Sequence, residues 1–203
     1  MNFTKKDFWY SVATGFETGL LVWLIADFLQ AKPPFGVSWV WMMLLVPIFW
    51  IVGINFGYLL GKILPFMSQF GRFVAVGFTN AAVDFGILNL FISTTGVAEG
   101  SWYGVFKSIS FVVANVHSYV LNKYWVFDAT GRQNMRAEFA KFFAVSVVSL
   151  VINVAVATVV VNLVPSQFGM DAKAWANIGA VAGSAIALAS SFVGYRLAVF
   201  KKS

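Results

Sequence analysis

The sequence has no cysteine, a single histidine and little charge, with Asp, Glu, Lys and Arg making up 11% of its 203 residues. Without thiols there is no disulfide framework, thiolate metal site or cysteine nucleophile. One histidine is too few for a histidine-rich metal centre. No His-Glu-x-x-His, Gly-x-x-x-x-Gly-Lys-Ser/Thr or Gly-x-Gly-x-x-Gly string occurs. No acid–base pair stands at a defined spacing either, so no catalytic residue, metal site or cofactor is expected, and the chain is not expected to be an enzyme. The scarcity of charge goes with 60% apolar residues, against roughly 45–50% in soluble chains. That excludes a soluble globule and a disordered chain, and leaves a polytopic membrane protein.

Six apolar runs are long enough to cross a bilayer, near residues 8–29, 37–61, 71–93, 104–126, 139–164 and 174–199. Only helices satisfy their own backbone in lipid, so an all-α fold of six transmembrane helices is expected. Pro33-Pro34, Pro65, Gly96, Gly131 and Pro165 separate the runs. The first run follows Lys5 and Lys6 as a signal peptide would, but its length and its acids Glu17 and Asp27 predict a retained helix. Eleven basic residues fall on one side of the six-span topology (Lys5, Lys6, Lys62, Arg72, Lys123, Arg132, Arg136, Lys141, Arg196, Lys201 and Lys202), and three on the other (Lys32, Lys107 and Lys173). This bias predicts that both termini are cytoplasmic. It also makes the net charge of +6 a topology signal and a surface for anionic lipid headgroups, not a nucleic-acid stripe. Trp9, Trp39, Trp41, Trp102, Trp125 and Trp175 stand near span ends, where interfacial anchors are expected.

The chain resembles itself at an offset of about seventy residues: Phe70-Gly71-Arg72-Phe73 sets against Phe139-Ala140-Lys141-Phe142, and Ser118 to Phe127 against Ser191 to Phe200. Each unit holds two spans, which predicts a parallel repeat of residues 69–128 and 138–201, related by an axis along the membrane normal. Residues 1–66 then form a two-helix extension, and 67–203 a four-helix domain.

Polar residues mark one face of each of the last four spans. Gly77, Asn80 and Asp84 share a face of the third, and Ser108, Asn115, Ser118 and Asn122 form a stripe on the fourth. Ser146, Ser149 and Asn153 follow on the fifth, and Asn177, Ser184, Ser191 and Tyr195 on the sixth. Such faces suggest a polar path between the helices. Asp84 is a functional candidate because an intramembrane acid costs at least about 2.5 kcal/mol. It can bind a cation, carry a proton or accept sugar hydroxyls; the structural alternative is an acid bonded to a neighbouring asparagine. Glu17 is the other deep acid, able to couple protons or cations, or else packed beside Gly15 and Gly19. His117, opposite Asn115, is expected to be a packing residue or else a titrating proton site, and Lys107 to snorkel to the membrane surface. Arg72, Lys123 and Arg196 gather near the cytoplasmic face, where they would attract a phosphate headgroup. Gly53, Gly57 and Gly61 form one small-residue ridge and Gly179 and Gly183 another, suited to close helix packing or a homodimer.

Residues 69–201 resemble the GtrA-like family. The match opens with Phe70-x-Arg72-Phe73-x-x-x-Gly77-x-x-Asn80-x-x-x-Asp84 and closes with Asn122-Lys123-x-Trp125-Val126-Phe127, where the family usually has Asn-Arg-x-Trp-x-Phe. In the second copy Tyr195 and Ala198 replace the Asn and Trp, while Arg196 and Phe200 remain. The resemblance implies a four-helix inner-membrane protein of cell-surface polysaccharide synthesis. Its members are thought to translocate polyprenyl-phosphate-linked sugars such as undecaprenyl-phosphate glucose, beside a membrane-associated glycosyltransferase. On that basis Asn80, Asp84, Asn115, Ser118, Asn122, Lys123, Arg72 and Arg196 are the expected substrate-binding residues, and Asp84 and Glu17 those of any proton or cation coupling. Two other functions fit the sequence. One is a non-catalytic scaffold that recruits the glycosyltransferase through its basic loop. The other is a small proton-coupled cation exporter.

Overall fold

The computed structural model describes residues 2–33, 36–65, 67–126 and 135–194, without the side chains of 135–140, 142–143, 188–189 and 191–194. These residues form six helices and no strand: α1 (Lys5–Phe28), α2 (Met42–Leu60), α3 (Met67–Thr95), α4 (Gly100–Leu121), α5 (Met135–Leu163) and α6 (Ala172–Gly194). A 3-10 turn, Trp39–Trp41, leads into α2, and a π-helical turn, Asn122–Val126, extends α4. Five of the helices are long and apolar enough to cross a membrane, and α6 has the length. The six runs of the sequence are therefore six helices, although the end of the last run lies outside the described residues. Left-handed Gly96 follows α3, and its amide donates to the Ile92 carbonyl at 2.8 Å, a backbone cap that glycine permits at no steric cost. Leu44, Ile48, Phe49, Val52, Phe56 and Leu59 leave one side of α2 exposed and apolar, a surface for lipid rather than water.

The chain forms two compact units, Met1–Gly86 with Val113–Thr130 and Ile87–Val112 with Gly131–Ser203. The first therefore joins α1 and α2 to the first part of α3 and the last part of α4. The second holds the remainder of α3 and α4 with α5 and α6.

The first unit closes around a carboxylate. Thr4 and Asp7 form a reciprocal capping box that starts α1, and the same Asp7 side chain is buried against three other segments. Its Oδ2 accepts hydrogen bonds from Thr4 N and Oγ1 at 3.0 and 2.7 Å and from the Tyr58 hydroxyl at 2.9 Å. Its Oδ1 accepts one from Trp125 Nε1 at 3.0 Å and lies 3.0 Å from Arg72 Nε, an ion pair without hydrogen-bond alignment. Arg72 also donates from Nη1 to the Trp125 carbonyl at 3.3 Å and from Nη2 to the Tyr58 hydroxyl. Tyr10 stacks on Trp125 with ring centroids 5.2 Å apart. Beneath these polar contacts Ile54, Tyr58, Ala75, Val76, Leu121, Trp125 and Val126 form one apolar core. Trp125 is thus no interfacial anchor. It is buried because its indole N–H finds a carboxylate inside the protein.

Glycines set the helix spacing. A Cβ on Gly15 would lie 2.5 Å from Pro47 Cα, and one on Gly19 would strike the Met42 carbonyl oxygen, so α1 and α2 meet backbone to backbone. Gly57 and Gly61 face the start of α3, at 3.0 Å from Met67 O and 3.2 Å from Ser68 Cβ, whereas Gly53 faces open space. In the second unit Gly179 and Gly183 receive α5: their Cβ atoms would lie 3.0 Å from Ala157 O and 2.5 Å from Asn153 O. Apart from Gly53, both ridges are used within the chain.

Removing one partner of a buried ion pair leaves the other charge uncompensated, so Asp7→Ala and Arg72→Ala should each cost about 3 kcal/mol of stability in detergent. The double variant should cost less than the sum of the two; purely additive losses in thermal unfolding would show that the pair is not coupled. Gly19→Ala should lower the unfolding temperature because its methyl meets fixed backbone, whereas Gly53→Ala should leave it unchanged or raise it, through a gain of up to about 1 kcal/mol in helix propensity.

Candidate functional site

The closing motif sits on the π-helical turn, where Asn122, Trp125 and Val126 are buried; such turns often occur at functional sites. Asn122 Nδ2 donates to Ser118 O at 2.9 Å and to Ser118 Oγ at 3.1 Å. Its Oδ1 is buried with no donor. An unmatched buried acceptor is costly, so this oxygen is suited to a hydroxyl. Lys123 stands over the rings of Tyr119 and Tyr124, at 5.8 and 5.4 Å from their centroids. Arg72, expected beside it as a phosphate receptor, is instead committed to Asp7, Tyr58 and Trp125. Gln69 Nε2 donates to the Val126 carbonyl at 3.2 Å and further ties α3 to this turn.

Further along the same unit come the other expected residues of α3 and α4. Asp84 is 2% exposed. Asn80 Oδ1, one turn before it, is another buried acceptor without a donor. Gly77, one residue short of a turn before Asn80, has nothing within 4 Å of its Cβ position and leaves that part of α3 open. Asn115 and Ser118 are half-buried. The unit therefore carries amide and hydroxyl groups at several depths, with two amide oxygens unmatched. Glu17 is not packed against its neighbouring glycines, which face α2. Its Oε1 lies 3.3 Å from Nε2 of His117. His117 thus meets an acid of another helix. The spacing that places it opposite Asn115 turns it toward α1.

The second unit has its own polar interior. Lys107 is fully buried, at 0% exposure, and does not snorkel. It lies seven residues into α4, about 10 Å along the helix, on the face shared by buried Tyr103 and Ser110. Asn89 and Asn177 exchange two hydrogen bonds, each at 2.7 Å. The Tyr103 hydroxyl donates to the Ala176 carbonyl at 2.8 Å, and Asn153 Nδ2 donates to Ser184 Oγ at 3.2 Å. Trp175 is buried, donating from Nε1 to the Val160 and Val164 carbonyls at 3.2 and 3.0 Å, and is not an interfacial anchor either. The side chain of Ser191, and all of Tyr195 and Arg196, lie outside the described residues.

Sequence reasoning missed Asp7 altogether and undervalued Lys107. For Asp7 the available signal was the Thr4-x-x-Asp7 capping pattern, which locates a helix start but not a long-range partner. For Lys107 it was the three- and four-residue spacing to Ser110 and Tyr103 within an apolar run. Two open depressions of about 330 Å³ lie elsewhere, one lined by Glu99, Asn162 and Trp175 among others and one by Asp27, Gln30 and Trp39 among others; no expected site residue lines either. Among the described residues no group of three or more His, Cys, Asp or Glu is placed to hold a metal ion.

Residues 72–200 match the family model described as GtrA/DPMS, transmembrane domain. No curated protein and no solved structure matches the chain. The matched stretch opens on Arg72 and contains both Asp84 and the Asn122–Val126 turn. With its membrane-length helices, the chain is a multi-pass membrane protein that belongs to the GtrA/DPMS transmembrane-domain family.

Proposed function

We propose that the protein is a non-catalytic carrier that moves a polyprenyl-phosphate-linked monosaccharide across the cytoplasmic membrane for glycosylation of a cell-surface polysaccharide. The observation that carries this reading is the pair of buried, unmatched amide oxygens, Asn80 Oδ1 and Asn122 Oδ1, in a membrane protein of this family. A sugar in hydrocarbon must replace the hydrogen bonds it made to water. Asn80, Asn115, Ser118 and Asn122 offer acceptors and donors at successive depths of one unit, and Asp84 offers a carboxylate. The prenyl tail stays in lipid throughout. Lys123 receives the phosphate as a mobile point charge. Arg72 frames the site by holding Trp125 and Tyr58, since its own charge is already answered by Asp7.

That last observation also favours a second reading. A chain whose strongest phosphate ligand is neutralised from within can serve as a membrane dock for a glycosyltransferase without carrying lipid itself. The basic segment from Arg132 to Lys141 would then be the contact.

The readings differ in reconstituted liposomes. As a carrier, the purified protein accelerates transbilayer movement of a polyprenyl-phosphate sugar. Asp84→Ala should slow that movement about tenfold or more, and Asn122→Ala several-fold, each as expected for a lost hydrogen bond to a polar ligand, about 1.4 kcal/mol per factor of ten. No acceleration over empty liposomes, with co-purification of a glycosyltransferase lost on charge reversal at Arg132 and Arg136, selects the dock.

A further inference from the structure

The middle of the first unit holds a second ionisable pair that the reading above leaves unused. Glu17 lies twelve residues into α1, about 18 Å along it, and its Oε1 stands 3.3 Å from His117 Nε2. Depths along the helices can be counted from the contact between Arg72 and the Trp125 carbonyl. Eight residues up α3 from Arg72 is Asn80, and eight residues back along α4 from Trp125 is His117, each about 12 Å away. On α1, Thr18 is tied to α3 by a 3.0 Å hydrogen bond from its hydroxyl to Thr79 Oγ1. Glu17, Thr18, Thr79, Asn80 and His117 therefore share one layer, about three turns or more from either end of α1 and α3; His117 stands one turn before the end of α4.

In this layer the Glu17 and His117 side chains keep 36% and 31% of their surface exposed. The second imidazole nitrogen, Nδ1, points the other way: it is buried and has no hydrogen-bond partner. A carboxylate within the bilayer costs at least about 2.5 kcal/mol and is retained where it pairs or carries a proton. A histidine with one nitrogen on a carboxylate can take up and give back a proton there, the carboxylate serving as counter-ion to the imidazolium.

We propose that Glu17 and His117 form a proton-transfer station within the membrane. A proton binds the Glu17 carboxylate and passes to His117 Nε2. This leaves an imidazolium beside its carboxylate counter-ion. The hydrogen on Nδ1 stays in place, since that nitrogen is buried with no partner to receive it. The proton on Nε2 leaves again through Glu17, so that one proton is bound and the same one is released. Asp84, one turn beyond Asn80 on α3, is the nearest further carboxylate along that helix. Of the other titratable groups, Tyr119 lies two residues from His117 on α4, while Tyr10, stacked on Trp125, and Lys123 of the π-helical turn stand nearer the level of Arg72. On α2 there is only Tyr58, held on Asp7 at the level of Arg72. The station stands on geometry alone; its coupling to lipid movement rests on the carrier reading.

His117 is the only histidine, so 15N-histidine labelling of the full chain in lipid reports one imidazole. Both ring-nitrogen resonances should respond to pH, and Glu17→Gln should displace that of Nε2. An imidazole indifferent to pH and to Glu17→Gln overturns the station. Flipping of a polyprenyl-phosphate sugar is then measured with and without a gradient of one pH unit, which can change a proton-coupled rate up to about tenfold. The wild-type rate should change at least about threefold, and the rates of Glu17→Gln and His117→Gln should not respond. Flipping that ignores the gradient in wild type overturns the coupling and leaves the carrier standing. Absence of flipping, with the pH-dependent resonances present, overturns the carrier and its coupling but supports the proton station.

Discussion

A single carboxylate has to satisfy an arginine, a tyrosine and a tryptophan at the foot of the first helix. Asp7 meets this demand because the capping box with Thr4 already fixes its backbone and one side-chain oxygen. Little side-chain entropy then remains to be lost when the other three partners arrive. Burying a charge this deeply is tolerable only when it is paired and its remaining lone pairs are filled, and Asp7 has both. Tyr58 anchors α2, Arg72 anchors α3, and Trp125 anchors the π-helical turn after α4. The close approach of α1 to α2 at Gly15 and Gly19 follows from the same constraint, because a bulkier residue there would push Asp7 away from its partners. Asn122 and Lys123 are oriented by the turn that Trp125 holds, so the candidate site depends on a residue that never needs to touch a ligand.

This arrangement changes what the Arg72 and Trp125 positions mean in this chain. Considered alone, an arginine at a membrane face invites a phosphate, and a tryptophan three residues beyond an asparagine suggests an interfacial anchor. Here both side chains are spent on Asp7, a residue upstream of the matched family domain. The N-terminal hairpin is therefore joined to the domain through the domain's own motif. A ligand phosphate would have to compete with a preorganised carboxylate to reach Arg72. Lys123 meets only the faces of two aromatic rings among its described contacts and faces no such competition.

The number of helices and their approximate spans were legible in the sequence because apolar length is a local property, and every run of about 20 residues has to be helical in lipid. The glycine ridges were legible for the same reason, except that sequence could not separate packing within the chain from packing between chains; Gly57 and Gly179 turn out to face neighbouring helices of their own units. The pairings Asp7–Arg72 and Glu17–His117 were not legible. Spacing within one helix shows which residues share a face, but not which face of another helix it meets. Lys107 and Trp175 show the same limit from the other side. Each lies close enough to a span end to suggest the interface, and each is buried because its unit supplies a polar interior there.

Two asparagine arrangements use different kinds of satisfaction, and this bears on what each can do. In the second unit Asn89 and Asn177 fill one another's donors and acceptors reciprocally. A ligand would have to break two bonds to gain access, so that pair is suited to fixing helix register. In the first unit Asn122 spends its donors on Ser118, within its own helix, and keeps its acceptor unmatched. Asn80 Oδ1 is likewise without a donor. A hydroxyl that reaches either oxygen breaks no hydrogen bond there and removes a standing penalty of about 1–3 kcal/mol. If a sugar crosses the bilayer along this protein, the free-energy balance favours the side of Asn80 and Asn122 over that of the asparagine pair.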